Sequence, residues 1–138
     1  MFSKLSPLLS LSLLFLTACS DKSLVTIYDK NITNEKIECM RLVVFPPDKY
    51  LSEIVNTLYT FKPQCNFTLN ISQKNGIVCN STHNLDKKVL KKFPTSYLNL
   101  TLKKNGKMIY SYYIDLEESV QKEDIKDGFK RLKSDLNF

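Results

Sequence analysis

Tyr97-Leu98-Asn99-Leu100-Thr101-Leu102-Lys103-Lys104-Asn105-Gly106-Lys107-Met108-Ile109-Tyr110-Ser111-Tyr112-Tyr113-Ile114-Asp115-Leu116 reads as two strands around a tight turn. Asn-Gly is the strongest short hairpin signal, because a type I′ turn needs positive φ at both central residues. A two-residue turn pairs 104 with 107, 102 with 109 and 100 with 111. One face then collects Leu98, Leu100, Leu102, Ile109 and Tyr113 as core. The other collects Tyr97, Asn99, Thr101, Met108, Tyr110, Tyr112 and Ile114. That second face has two readings. Tyrosine and methionine suit contact surfaces, which makes Tyr97, Met108, Tyr110 and Tyr112 interaction-surface candidates. Alternatively, the helix that follows covers the same face and turns it into core.

That helix is expected over about residues 120–136, on a stripe of Val120, Ile125, Phe129, Leu132 and Leu136. Gly128 weakens it modestly. Glu117, Glu118, Glu123 and Asp124 stand at or before its first turn, where carboxylates favour the positive end of the helix dipole.

Upstream, Arg41-Leu42-Val43-Val44-Phe45 ends in a continuous apolar run, the pattern of a strand covered on both faces. Pro46-Pro47 stops it. Asp48 is the expected N-cap of a helix over residues 49–61, with Leu51, Ile54, Val55, Leu58 and Phe61 on one stripe. Cys65, Phe67, Leu69 and Ile71 alternate with polar residues in a half-buried strand. Asn75-Gly76 is expected to turn the chain so that Ile77-Val78-Cys79 returns, with a glycine bulge setting Cys79 opposite Ile71. Residues 85–93 read as a short helix closed by Pro94. Residues 20–35 are polar around Leu24 to Tyr28, a tether able to add an edge strand.

The first 19 residues run from one basic residue, Lys4, through an apolar stretch, Leu5 to Leu16, to Leu16-Thr17-Ala18-Cys19. This is a secretory signal too short for a permanent membrane span. It resembles the lipobox of bacterial lipoproteins, which implies cleavage after Ala18 and acylation of Cys19. In that family an aspartate directly after the cysteine favours the inner membrane. Ser20 stands there, so the resemblance implies the periplasmic side of the outer membrane. A single acyl chain binds marginally and two or more hold firmly, at about 0.8 kcal/mol per buried methylene. The expected organisation is signal peptide 1–18, lipidated tether 19–35 and one domain over 36–138.

The 138-residue chain less its first 18 leaves 120 residues, enough for a single core. Its formal charge of +6 becomes +5 without Lys4. That is modest for a nucleic-acid binder, and the expected address argues against one. Anionic membrane surfaces and lipopolysaccharide phosphates are the available partners. Lys87, Lys88, Lys91, Lys92, Lys103, Lys104 and Lys107 form a basic patch with Asp86 the only acid among them. It suits lipid phosphates, or a solvated and aggregation-resistant exterior.

With Cys19 acylated, Cys39, Cys65 and Cys79 remain in an oxidising compartment. On the bulged register Cys65 lies six residues from Ile71, about 20 Å along the strand. Bridged cysteines need α-carbons within about 7 Å, so Cys65–Cys79 is disfavoured. If helix 49–61 is a crossover between parallel strands, Cys39 and Cys65 start neighbouring strands and become the favoured pair. The cysteines lack metal-ligand spacing and His83 is the only histidine, so neither metal nor cofactor is expected. No triad-like set stands out either, so a non-enzymatic role is expected. The alternative is an envelope-modifying enzyme using carboxylates such as Asp115 and Glu117.

Five Asn-x-Ser/Thr triplets occur, at Asn31, Asn66, Asn70, Asn80 and Asn99. Asp29-Lys30-Asn31-Ile32-Thr33 resembles the acid-extended acceptor of bacterial periplasmic oligosaccharyltransferases, which makes Asn31 the glycosylation candidate.

The expected fold is α+β, a mixed or antiparallel sheet with two main helices packed on it. Its element order over 36–136 is similar to that of the LPS-assembly lipoprotein family, whose resemblance implies a role in lipopolysaccharide export. The runner-up architecture is an immunoglobulin-like sandwich, as in small lipoproteins of Campylobacter-like bacteria. The function expected is a membrane-anchored accessory lipoprotein with an envelope protein partner.

Overall fold

A computed structural model describes residues 22–78 and 93–138. Strands β1 (Leu24–Ile27), β2 (Met40–Val44), β3 (Phe67–Lys74), β4 (Ser96–Lys104) and β5 (Lys107–Leu116) form one sheet in the order β1-β5-β4-β3-β2. β2 and β3 are parallel and every other pair is antiparallel. Helix α1 (Lys49–Leu58) crosses from β2 to β3, and α2 (Lys122–Asp135) closes the chain. Among the described residues the fold is α+β, with one mixed sheet and two helices. A single sheet leaves no place for the immunoglobulin-like sandwich.

Leu51, Ile54 and Val55 of α1, and Ile125, Phe129 and Leu132 of α2, share one core with Met40, Leu69, Leu98, Leu100 and Tyr112 of the sheet. Both helices therefore lie on the same side. Asp48 caps α1, its Oδ1 accepting the Leu51 N–H at 2.9 Å. The helix ends at Leu58, three residues earlier than the stripe predicts. Tyr59 is already extended, and the Lys62 N–H donates to the Met40 carbonyl at 2.9 Å. The strap 59–62 lies along β2 rather than completing a turn, and Tyr59 packs edge-on to Phe61 and Phe138.

The hairpin turn forms as read: Asn105 and Gly106 have φ of 50° and 82°, and Lys104 pairs with Lys107. The register then slips. Leu102 faces Tyr110 and Leu100 faces Tyr112, with the irregularity beside Lys103. A regular ladder aims Ile109, Ser111, Tyr113 and Asp115 inward. The bulge instead aims Tyr110, Tyr112, Ile114 and Leu116 inward and keeps Ile109 buried. Burial of apolar area decides the register.

The burst at Leu24 adds β1 to the edge of the sheet, as the tether reading allows, and Ile32, in a 3-10 turn over Lys30–Thr33, is 1% exposed. Two further expectations change. β2 is an edge strand with Leu42, Val43 and Val44 half-buried, not a strand covered on both faces. Ile77 and Val78 form no strand, because both edges of β3 are taken. Ile71 faces Val44 on one side and Leu100 on the other. Cys79, His83 and the predicted helix 85–93 (except Phe93) lie outside the described residues.

The Tyr110 hydroxyl donates to Asp135 Oδ2 at 2.9 Å, and Arg131 Nε donates to the same oxygen at 2.9 Å. Burial, then this bond to Asp135, pushes the Tyr110 phenol well above its usual value. Tyr110→Phe is expected to cost about 1.5–3 kcal/mol near neutrality, the range for a hydrogen bond to a charged group. The folded phenol holds its proton more tightly than the unfolded one. Its contribution is therefore complete below pH 10 and lost as pH rises above it. Urea midpoints at pH 8 and pH 10.5 are expected to fall less for Tyr110→Phe than for wild type.

Candidate functional site

The predicted tyrosine surface divides. Tyr110 and Tyr112 are 0% and 4% exposed beneath α2 and are unavailable to a partner. The bulge that brings them to the core face is the cause. Tyr97 stays on the opposite face, stacked on Tyr113 with ring centroids 5.6 Å apart. The Tyr113 hydroxyl donates to Asp115 Oδ1 at 2.7 Å. That bond, then desolvation, pushes its phenol up to about 12. Met108 is exposed, at the β1 end of the sheet.

Of the basic patch, Lys87, Lys88, Lys91 and Lys92 lie outside the described residues. Lys104 pairs with Glu35 and sits over the Phe67 ring, 5.6 Å from its centroid. Lys103 is half-buried and Lys107 is exposed. Asn31 is exposed in the 3-10 turn. Its N–H donates to Asp29 Oδ1 at 3.0 Å, and Thr33 Oγ1 donates to the Lys30 carbonyl at 2.9 Å. Cys39 and Cys65 are joined, with α-carbons 5.9 Å apart. The parallel crossover places them so.

The carboxylates Asp115, Glu117, Glu118 and Asp124 line an open hollow of about 320 Å³. Asp115 accepts from Tyr113, Asp124 accepts the Gln121 N–H at 2.7 Å, and Glu117 lies 4.0 Å from Lys22. These contacts fasten the start of α2 and the end of β5. Among the described residues no group of three or more His, Cys, Asp or Glu side chains is placed to hold a metal ion.

A larger concave feature lies elsewhere, along the outer edge of β2. It is a groove of about 880 Å³ with Leu42, Val44, Phe61 and Pro47 among its apolar walls and Arg41, Lys49 and Lys62 around them. Its hydrogen-bonding potential follows from the ladder. In a parallel pair, alternate residues of a strand turn both backbone groups to the neighbour. The Phe45 N–H donates to the Ile71 carbonyl, so Arg41, Val43 and Phe45 face β3. Met40, Leu42 and Val44 then face outward. Lys62 satisfies the Met40 carbonyl. Among the described residues no hydrogen bond reaches the outward groups of Leu42 and Val44. Such an edge is a template for another strand.

Asp48, the acid of the groove, is committed: Oδ1 to the Leu51 N–H and Oδ2 to the Gln73 amide at 2.6 Å. Phe45 and Tyr50, next to groove residues in the chain, are 74% and 51% exposed. The sequence reading gives Asp48 and Phe61 roles in the helix and Arg41 to Phe45 a strand, but it does not single out the groove. An apolar run closed by Pro46-Pro47 was the available signal, since proline favours edge strands.

Comparison of the chain with protein-family models, with characterised proteins and with solved structures finds no match. Fold and groove together define a single-sheet α+β domain with an open, cation-flanked strand edge at β2.

Proposed function

We propose that this chain is an envelope lipoprotein, acylated at Cys19 and held on the periplasmic side of the outer membrane, whose domain is a protein-interaction module rather than an enzyme. The outward backbone groups of Leu42 and Val44 above the β2 groove carry the interaction part of this reading. Leu16-Thr17-Ala18-Cys19 carries the anchor. The occupant is an extended segment of a partner protein, added as a sixth strand, with acidic residues alternating with apolar ones. Backbone bonds supply affinity and alternate side chains supply selection. Arg41, Lys49 and Lys62 complement acids, whereas a second copy sets the same cations against each other. The lipopolysaccharide-assembly reading rests on element order, which β1 and the absence of a strand at Ile77 and Val78 alter, so it adds no weight.

A blocked heptapeptide alternating valine and glutamate is expected to bind at about 10–100 µM, the weak end of affinities for a short unstructured ligand. Amide shifts are expected at Leu42 and Val44. Its valine–lysine counterpart, and the variant Arg41→Glu/Lys62→Glu with the acidic peptide, are expected to bind at least tenfold more weakly. Equal binding of both peptides, or amide shifts centred away from β2, overturns the docking assignment.

A further inference from the structure

At the opposite edge of the sheet, exposed apolar side chains gather. Of the seven large hydrophobics exposed among the described residues, four stand here: Leu24 at 66%, Ile27 at 36%, Tyr28 at 57% and Met108 at 37%. Leu24, opposite Tyr113, and Ile27, opposite Tyr110, lie on the two faces of β1, so the apolar strip wraps around the sheet edge. The Tyr28 N–H donates to the Ile109 carbonyl at 2.9 Å, one residue from Met108. Exposed apolar strips of this kind mark contact surfaces.

Lysines surround the strip. Lys22 precedes it, Lys30 follows it, Lys107 adjoins Met108, and Lys103 faces Met108 across the hairpin. Nearby acids are engaged: Asp29 caps the 3-10 turn, and Glu117 lies against Lys22. An apolar strip with a basic margin is the composition of a surface lying in the interfacial layer of a membrane.

Chain length identifies the occupant. Leu24 is five residues after Cys19, so its α-carbon stays within about 18 Å of the Cys19 α-carbon even with the connection fully extended. An acylated Cys19 sits at the lipid surface, and β1 is the sheet edge joined to it by the shortest stretch of chain. β2 is four strand spacings away, about 19 Å.

We propose that the β1 edge docks the domain on a phospholipid surface, with Leu24, Ile27, Tyr28 and Met108 among the headgroups and Lys22, Lys30, Lys103 and Lys107 against their phosphates. This orientation rests on the acylated Cys19 of the proposed function. It leaves the β2 groove pointing away from the bilayer. A tyrosine suits the headgroup layer because its ring is apolar and its hydroxyl stays wet.

The chain contains no tryptophan, so exposed positions accept single reporters. Full-length lipidated protein carrying Tyr28→Trp or Phe45→Trp is reconstituted into vesicles of phosphatidylethanolamine and phosphatidylglycerol with brominated acyl chains. The Tyr28→Trp emission is expected to shift to the blue and lose at least half its intensity to bromine. The Phe45→Trp emission is expected to stay unquenched. Adding Lys103→Glu/Lys107→Glu to the Tyr28→Trp protein is expected to lower the docked fraction at least tenfold at low salt, at about fivefold per lysine. Equal quenching of the two reporters, or quenching only at Phe45→Trp, overturns the orientation. Palmitate labelling of wild type and Cys19→Ala tests the anchor separately. If Cys19 takes no label, the anchor falls. The reporters are then read with free chain added to the same vesicles, where absence of Tyr28→Trp quenching overturns the edge as well.

Discussion

Replacing Cys39 and Cys65 together by alanine is expected to lower the unfolding free energy by about 3.5 kcal/mol. The two cysteines are 26 residues apart in sequence, and the bond closes the unit that contains β2 and α1. Cross-linking a loop of that size removes about this much chain entropy from the unfolded ensemble. The native geometry needs no rearrangement, because β2 and β3 run in parallel and Met40 and Phe67, each within two residues of a cysteine, face one another. Urea unfolding followed by circular dichroism measures the difference. Wild type in dithiothreitol is expected to match the double variant. A shift below about 1 kcal/mol refutes the entropic account. The bond also matters to the proposed function, since β2 joins the sheet only through β3 and the strap at Lys62. Freed from the disulfide, β2 and α1 are the part expected to open first, and the acidic peptide is expected to bind more weakly under reducing conditions.

How far the sequence reveals this protein depends on how local each decision is. Asn105-Gly106 fixes its own turn, because only such residues accept positive φ cheaply. Asp48 and the stripe at Leu51, Ile54 and Val55 likewise define α1 without help from elsewhere. From those two readings the crossover, and hence the Cys39–Cys65 pair, follow. Decisions that depend on competition between distant segments were not legible. Gly76 has a φ of 67° and looks like a hairpin turn, yet β4 takes the edge of β3 that a return strand needed. The bulge beside Lys103 was hidden because turn chemistry and burial disagree about β5, and burial beneath α2 prevails. Leu42 to Phe45 is apolar enough for a central strand, but strand order sets its place at the edge. The groove depends on that order, on the strap at Lys62 and on which backbone groups turn outward. No property of Leu42 or Val44 as residue types announces it. The proposed anchor is the opposite case: Leu16 to Cys19 is a linear motif whose reading does not depend on how the domain folds.

Leu100→Ala is expected to cost about 3–4 kcal/mol, and Gly128→Ala is expected to return part of that loss. Leu100 is 0% exposed on the central strand, between Ile71 and Tyr112. Truncating a leucine there removes its transfer free energy and leaves a cavity in a core whose neighbours are held by the sheet. Stabilities of small domains are about 5–15 kcal/mol, so the loss is a large fraction of the whole. Gly128 of α2 rests directly above. A methyl group added to it meets Tyr112 Cε1 at 3.0 Å and Leu100 Cδ1 at 3.4 Å. In the wild-type core that contact forces the Tyr112 ring aside, and overpacking costs about 1–3 kcal/mol. The gain of about 1 kcal/mol in helix propensity does not cover it, so Gly128→Ala alone is expected to destabilise. With Leu100→Ala in place the ring has room to move and the new methyl occupies part of the void. The same substitution then contributes its propensity and its packing together. Urea unfolding of the four proteins is expected to give a favourable coupling of about 1–2 kcal/mol, within the range for residues in contact. Additive costs refute direct packing between α2 and the centre of the sheet, and with it the account of why α2 carries a glycine where alanine makes the better helix.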